Sequence, residues 1–248
     1  MTSDILEELI KYKIINMVEI IPAILTSSYS DIKNEISIVK DYVHTVQVDI
    51  CDGEFVQSTT WPFASGGIED VNFRNIINEV EGMPFWQDVD FEFDLMVKDA
   101  VENFDLYSKL GAKRVIFHLD SISDVQAFGE FIEGLDNYTR DTIEIGLAIN
   151  KNKDFEIINK IIYKVDFVQC MGIENIGKQG EPFNTEVIDL IKELKNKYAD
   201  LIISVDGGVS LENAPALLSA GASRLVVGSA IFSKQNVLGA FEDFQNLL

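Results

Sequence analysis

Val43-His44-Thr45-Val46-Gln47-Val48-Asp49-Ile50, running straight into Cys51-Asp52-Gly53, decides how this chain folds. The run is short and rich in Val and Ile, as a buried parallel strand is. It then breaks into acids and a glycine, a polar strand end. Similar runs recur at Val18–Ile24, Phe91–Val97, Arg114–Phe117, Ile143–Ile149, Asp166–Met171, Leu201–Val205 and Arg224–Val227. Amphipathic stretches separate most of them, which predicts a parallel sheet with covering helices. Eight such runs in 248 residues match the size of a (β/α)8 TIM barrel. The rival, an open doubly wound sheet, usually opens its first helix on Gly-x-Gly-x-x-Gly, which is missing. The α/β expectation is one barrel domain over residues 1–248, with an extra N-terminal helix at Ile5–Ile15 as a packing element.

Between the strands, Ser30 is expected to cap a helix carrying Ile32, Ile36 and Val39 on one face. Thr185 is expected to cap one carrying Val187, Ile188, Ile191 and Leu194, and Ser210 one over Leu211–Ala220, closed by a left-handed Gly221. The longest insertion is Cys51–Asp88, which carries Trp61-Pro62-Phe63 and Gly66-Gly67 and reads as a partial lid over the mouth.

Composition narrows the partners. Twenty Lys and Arg against forty-one Asp and Glu give a net charge of −21, which argues against nucleic acid and anionic membranes. Two cysteines are too few for a disulfide framework and suit a reducing compartment. No apolar run reaches the length of a membrane span, and the acidic N-terminus does not read as a signal peptide, so a cytoplasmic location is expected.

In a barrel the chemistry sits at the C-terminal strand ends. The first run leads into Pro22-Ala23-Ile24-Leu25-Thr26. The second ends Val48-Asp49-Ile50-Cys51-Asp52-Gly53-Glu54-Phe55-Val56, and the third ends Asp94-Leu95-Met96-Val97. The sixth ends Gln169-Cys170-Met171-Gly172 and continues to Gly177-Lys178-Gln179-Gly180. The seventh ends Val205-Asp206-Gly207-Gly208, and the eighth Val227-Gly228-Ser229-Ala230-Ile231-Phe232. Glycines at three neighbouring strand ends can bring backbone N–H groups onto one anion, so Gly177, Gly180, Gly207, Gly208, Gly228 and Ser229 are expected to bind phosphate. The chain's own negative charge opposes this only at long range, because salt screens it beyond about 8–10 Å.

These ordered segments, spanning Ile20 to Phe232, resemble the ribulose-phosphate 3-epimerase family of ketose-phosphate 3-epimerases. The resemblance implies a phosphorylated ketose of the ribulose 5-phosphate/xylulose 5-phosphate type as substrate. It implies Asp49 and Asp206 as the paired acid and base on either side of an enediolate. It further implies Thr26, Cys51, Met96 and Met171 in the substrate pocket, and a divalent metal held by two Asp and two His. Here the chain departs from the family. Asp49 and Asp206 match, but the imidazole positions hold Gln47 and Asp94. His44 lies an odd number of residues from Gln47 and Asp49 and so should face away; His118, ending the fourth run, reads as a hydrogen-bonded structural residue. An oxygen-only set of Gln47, Asp49, Asp94 and Asp206 favours Mg²⁺ or Mn²⁺ over Zn²⁺ or Fe²⁺, with no metal at all as the other outcome. Without one, crowding should raise at least one carboxyl pKa. Competing readings are a different phosphosugar lyase or isomerase on the same barrel, and a non-catalytic phosphosugar-binding relative. A homo-oligomer is compatible with all three.

Overall fold

The computed structural model describes residues 18–151 and 155–248, so the N-terminal helix expected at Ile5–Ile15 lies outside the described residues. Eight parallel strands close into a barrel in chain order. They are β1 Glu19–Ile24, β2 Thr45–Cys51, β3 Asp90–Met96, β4 Ala112–His118, β5 Glu144–Ile149, β6 Phe167–Met171, β7 Ile202–Asp206 and β8 Arg224–Val227. Every expected run contains one of these strands to within a few residues at its ends. The ring closes by pairing β1 with β8, Glu19 opposite Arg224 through Pro22 opposite Val227.

The strands' outward residues pack under helices. Helix α1 (Tyr29–Val39) buries Ile32, Ile36 and Val39, the face its spacing predicts. Its N-cap is Ser28, not Ser30: Ser28 Oγ accepts from the Asp31 N–H at 3.1 Å, because the helix begins one residue before Ser30. Helix α2 (Val71–Ile77) follows two short 3₁₀ turns, and α3 (Phe104–Ser108), α4 (Val125–Gly134), α5 (Asn137–Thr142) and α6 (Phe155–Ile161) alternate with the next strands. Helix α7 (Val187–Lys197) starts without a side-chain cap; Asn184 Oδ1, rather than Thr185, takes the nearby Glu186 N–H at 3.0 Å. Ser210 precedes α8 (Ala214–Ala220) by a turn, exchanging hydrogen bonds with Asn213, and Gly221 ends the helix left-handed at φ 112° as expected. Two C-terminal helices, α9 (Ser229–Phe232) and α10 (Val237–Gln245), complete the outer layer.

Inside the barrel the side chains are polar at two levels. Near the N-terminal strand ends, Arg114 meets Glu19 at 2.9 Å, Glu144 at 3.4 Å and Glu92 at 3.5 Å. Arg224 adds bonds to Glu144 at 2.9 Å and lies 4.7 Å over the Phe167 ring. This charged plug closes the floor. The second level, at the other end, is the candidate site.

The insertion after β2 is pinned to the barrel more than an open lid would be. Thr60 Oγ1 donates to the Asp49 carbonyl at 2.7 Å and accepts from the Cys51 N–H at 2.8 Å, and Trp61 beside it is buried. Asp70 caps α2 through the Phe73 N–H at 2.8 Å while accepting the Trp61 indole N–H at 3.1 Å. Asp70→Ala removes the cap and strands a buried donor, each worth about 1–2 kcal/mol. A loss of about 2–3 kcal/mol is expected in urea unfolding, and a loss below about 0.5 kcal/mol would mean that neither bond matters.

Candidate active site

Strand alternation puts Gln47 and Asp49 of β2 and Glu92 and Asp94 of β3 on the inner face. Parallel register then sets Gln47 beside Glu92 and Asp49 beside Asp94. Asp206, at the end of β7, reaches the same place from across β8 and β1. Oxygens of Asp49, Asp94 and Asp206 lie within 4.8 Å of one another. Asp94 is fully buried and Asp49 is 8% exposed.

Two amides and an imidazole hold this cluster together. Gln47 Nε2 donates to Asp49 Oδ1 at 2.7 Å and to Asp206 Oδ2 at 3.0 Å. Gln169 Nε2, from β6, donates to Asp94 Oδ2 at 3.2 Å and to Asp206 Oδ2 at 3.5 Å. His118 Nε2, at the end of β4, shares a 2.7 Å hydrogen bond with Asp94 Oδ1. His118 is therefore hydrogen-bonded as expected, yet it belongs to the site through Asp94. His44, by contrast, precedes β2 and is exposed. Gln169 is the site residue that sequence reasoning misses, although it shares a face with Met171; only an amide's lack of obvious chemistry hides it.

Burial dominates the electrostatics. It drives the Asp49 carboxyl well above its ordinary range, with repulsion from Asp206 and Asp94 adding and the Gln47 hydrogen bond opposing. Asp206 is pushed up to about 7, first by burial and then by Asp94, against the pull of Gln47 and His118. Both carboxyls are thus shifted toward the protonated form relative to a solvated aspartate.

The same three carboxylates offer a divalent cation an oxygen cage, and Gln47, whose Nε2 faces them, carries a further oxygen, Oε1, buried without a partner. The residues present fit such an ion. No thiolate competes, because burial raises the Cys51 thiol far above neutrality.

At the cluster lies a pocket lined by Asp49 and Asp206, by Met96 and Met171, and by all six expected phosphate-site residues: Gly177, Gly180, Gly207, Gly208, Gly228 and Ser229. Gly207 and Gly208 both have left-handed φ, 98° and 67°, and a Cβ on Gly207 would lie 2.6 Å from Ile173, so only glycine permits this backbone. Gly228 faces the Gln179 amide, and Lys178 lines the same pocket. Cys51 is fully buried just behind this wall, its Sγ 4.0 Å from Met96 Sδ. Thr26 stands apart: its hydroxyl bonds the Ser28 carbonyl in the β1–α1 turn, outside the pocket lining. Part of the long insertion does cover the mouth, with Phe55 5.6 Å from the His118 ring and Val56 against Gly177.

The model of the ribulose-phosphate 3-epimerase family matches residues 19–232. The ribulose-phosphate 3-epimerase of Bacillus subtilis is 26% identical over 227 residues, covering 89% of this chain and 94% of that protein. That of Schizosaccharomyces pombe is 27% identical over 222 residues, covering 88% of each. Among solved structures, KGPDC from Streptococcus mutans superposes with a TM-score of 0.68 at 13% identity, covering 93% of this chain and 96% of that one. The 3-hexulose-6-phosphate synthase from Salmonella typhimurium gives 0.66 at 15%, covering 93% and 98%. At such identities these structures show the shared barrel alone. Among the described residues, no helix is long and apolar enough to cross a membrane.

Proposed function

The chain belongs to the ribulose-phosphate 3-epimerase family, and from that premise we propose that it inverts the carbon beside the carbonyl of a phosphorylated ketose, interconverting ribulose 5-phosphate and xylulose 5-phosphate or a close analogue. The observation that carries this reading is the pair Asp49 and Asp206, brought from β2 and β7 to within 4.8 Å of each other at the floor of the pocket, each buried with its carboxyl pKa raised. An inversion needs one ionised and one protonated group on opposite faces of the reacting carbon. The ionised aspartate takes the C3 proton and an enediolate forms. The protonated aspartate returns a proton to the other face, so the two exchange roles in each turnover.

The remaining residues orient and enclose. Gly177, Gly180, Gly207, Gly208, Gly228 and Ser229 hold the phosphate at the far end of the sugar, with backbone N–H groups as donors. Met96 and Met171 present apolar surface to the reacting carbons and keep water from the intermediate. Gln47, Gln169 and His118 orient the carboxylates. A divalent cation held by Asp49, Asp94, Asp206 and Gln47 would supply positive charge next to the developing enediolate. Oxygen ligands favour Mg²⁺ or Mn²⁺ over Zn²⁺ or Fe²⁺ at this set. Elemental analysis of the purified protein is expected to find little zinc or iron. Stoichiometric zinc displaced by neither Mg²⁺ nor Mn²⁺ would contradict the preference. Two free, buried cysteines support a cytoplasmic setting.

A Schiff-base aldolase would need a lysine among the inner strand ends. Lys178, on a loop at the phosphate end, is the one lysine lining this pocket among the described residues. A purely binding relative would have no use for a buried aspartate pair with raised carboxyl pKa. The test is turnover of ribulose 5-phosphate with Mg²⁺ or Mn²⁺ present, followed by a xylulose 5-phosphate-specific coupled assay. Saturable binding of the sugar phosphate with no conversion would leave the binding reading in its place.

A further inference from the structure

Gln47 stands where the family holds an imidazole, and its amide has two edges of nearly the same shape and opposite chemistry. In this structure the donor edge lies between Asp49 and Asp206, at 2.7 and 3.0 Å. The acceptor edge, Oε1, is buried with no partner. Its register neighbour across the β2–β3 pairing is Glu92, fully buried on the same inner face, and Glu92 Oε1 is also without a partner. Two unpartnered acceptors on neighbouring inward side chains are a costly arrangement. A half turn of the amide exchanges the unpartnered acceptor for a donor, and the register neighbour Glu92 has an acceptor in need of one. That turn brings Oε1 against two carboxylates, which is tolerable only with a cation between them.

We propose that binding of a divalent cation turns the Gln47 amide over, so that Oε1 joins Asp49, Asp94 and Asp206 as a ligand while Nε2 donates to Glu92. The inference rests on reading the three aspartates as a cation site and extends it to an amide that stands in place of one of the family's imidazole ligands. It gives Glu92 a role beyond closing the barrel floor, as the group that fixes which edge of the amide faces the ion. Outer partners of this kind commonly change metal affinity by about 10–100-fold when lost.

The experiment uses the full chain labelled with ¹⁵N. The Gln47 side-chain NH₂ resonances, assigned by their absence in Gln47→Met, are followed through a Mg²⁺ titration, and Mn²⁺ affinity is read by electron paramagnetic resonance of the free ion. The Gln47 NH₂ pair is expected to shift on saturation and to gain nuclear Overhauser contacts to the Glu92 methylenes. Gln47→Met should bind Mn²⁺ about 10–100-fold more weakly than the parent, with its circular dichroism unchanged. Because Glu92→Met alters the floor as well, Gln47→Glu serves as the second variant: it keeps an oxygen at that position and should restore Mn²⁺ binding. Resonances that stay in place while Mg²⁺ binds, as a water bridging the two oxygens in both states would leave them, overturn the proposal. So does a Gln47→Met protein that binds Mn²⁺ as tightly as the parent. If the parent binds neither ion, the cation reading falls with it, whereas a failure of epimerisation alone, measured by turnover, leaves this binding result standing.

Discussion

Asp206→Asn is expected to lower kcat by on the order of 10²–10⁴-fold, with KM for the sugar phosphate nearly unchanged, and Asp49→Asn to do the same. Asparagine keeps the shape and hydrogen bonds of the side chain but carries no proton to the reacting carbon. Neither position touches the glycine loops that hold the phosphate. A second readout separates this role from a structural one. The folded-state pKa of Asp206, about 7, lies above its ordinary value of 3.8, so the folded protein binds the proton more tightly than the unfolded chain. By linkage, this carboxyl costs the fold nothing below the unfolded value and costs progressively more as pH rises through the folded one. Asp206→Asn should therefore be more thermostable than the parent at pH 8 in the presence of a chelator, and the gap should close toward pH 4. A variant that loses both activity and stability would mark Asp206 as a structural aspartate.

Arg114→Met is expected to cause the largest loss of stability, about 3–5 kcal/mol, because it takes a cationic partner from the fully buried Glu92 carboxyl. Arg114 is the hub of the barrel floor, bonded to Glu19, Glu92 and Glu144. Burial already pushes Glu92 up to about 7, and Arg114 is the strongest charge holding it down, followed by Arg224. The sign is that of a raised carboxyl: the deficit of the variant should be small near pH 4.5, where folded Glu92 is protonated in parent and variant alike, and should grow as pH rises past 7. Chemical denaturation at both pH values measures it. The double variant Arg114→Met/Glu92→Met should recover much of the loss, since an apolar pair of similar volume removes the buried charge together with its partner. A single variant equal to the parent at pH 8 would show that Arg224 alone neutralises the floor.

The sequence makes some of this legible and hides the rest for identifiable reasons. The strands are readable because fully covered strands are continuous apolar runs, and β8 matches its expected bounds, Arg224–Val227. Asp49, Asp94, Asp206 and Gln47 are readable because the family resemblance marks these positions at or near the polar strand ends. Helix starts are less so: Ser28 and Ser30 are both good caps, and only the exit of the chain from β1 chooses between them. The floor network cannot be read at all. Charges on Glu19, Arg114 and Arg224 look solvent-facing until ring closure brings β1 to β8 and turns that face inward. Gln169 is hidden by chemistry, since an amide announces no reaction; its position two residues before Met171 is the available signal. The mouth cover reads as a freer lid than it is, because Thr60 and Trp61 give no sign in the sequence that they anchor it.

The account turns on proton exchange at one carbon of the substrate. The most direct measurement is ¹H NMR of ribulose 5-phosphate incubated with the protein and Mg²⁺ or Mn²⁺ in D₂O. The account predicts that the C3 proton signal disappears as deuterium enters, that xylulose 5-phosphate carrying deuterium at C3 accumulates, and that both changes vanish in Asp49→Asn and Asp206→Asn. Ribulose 5-phosphate that keeps its C3 proton at full intensity, under conditions where it demonstrably binds, would contradict the account.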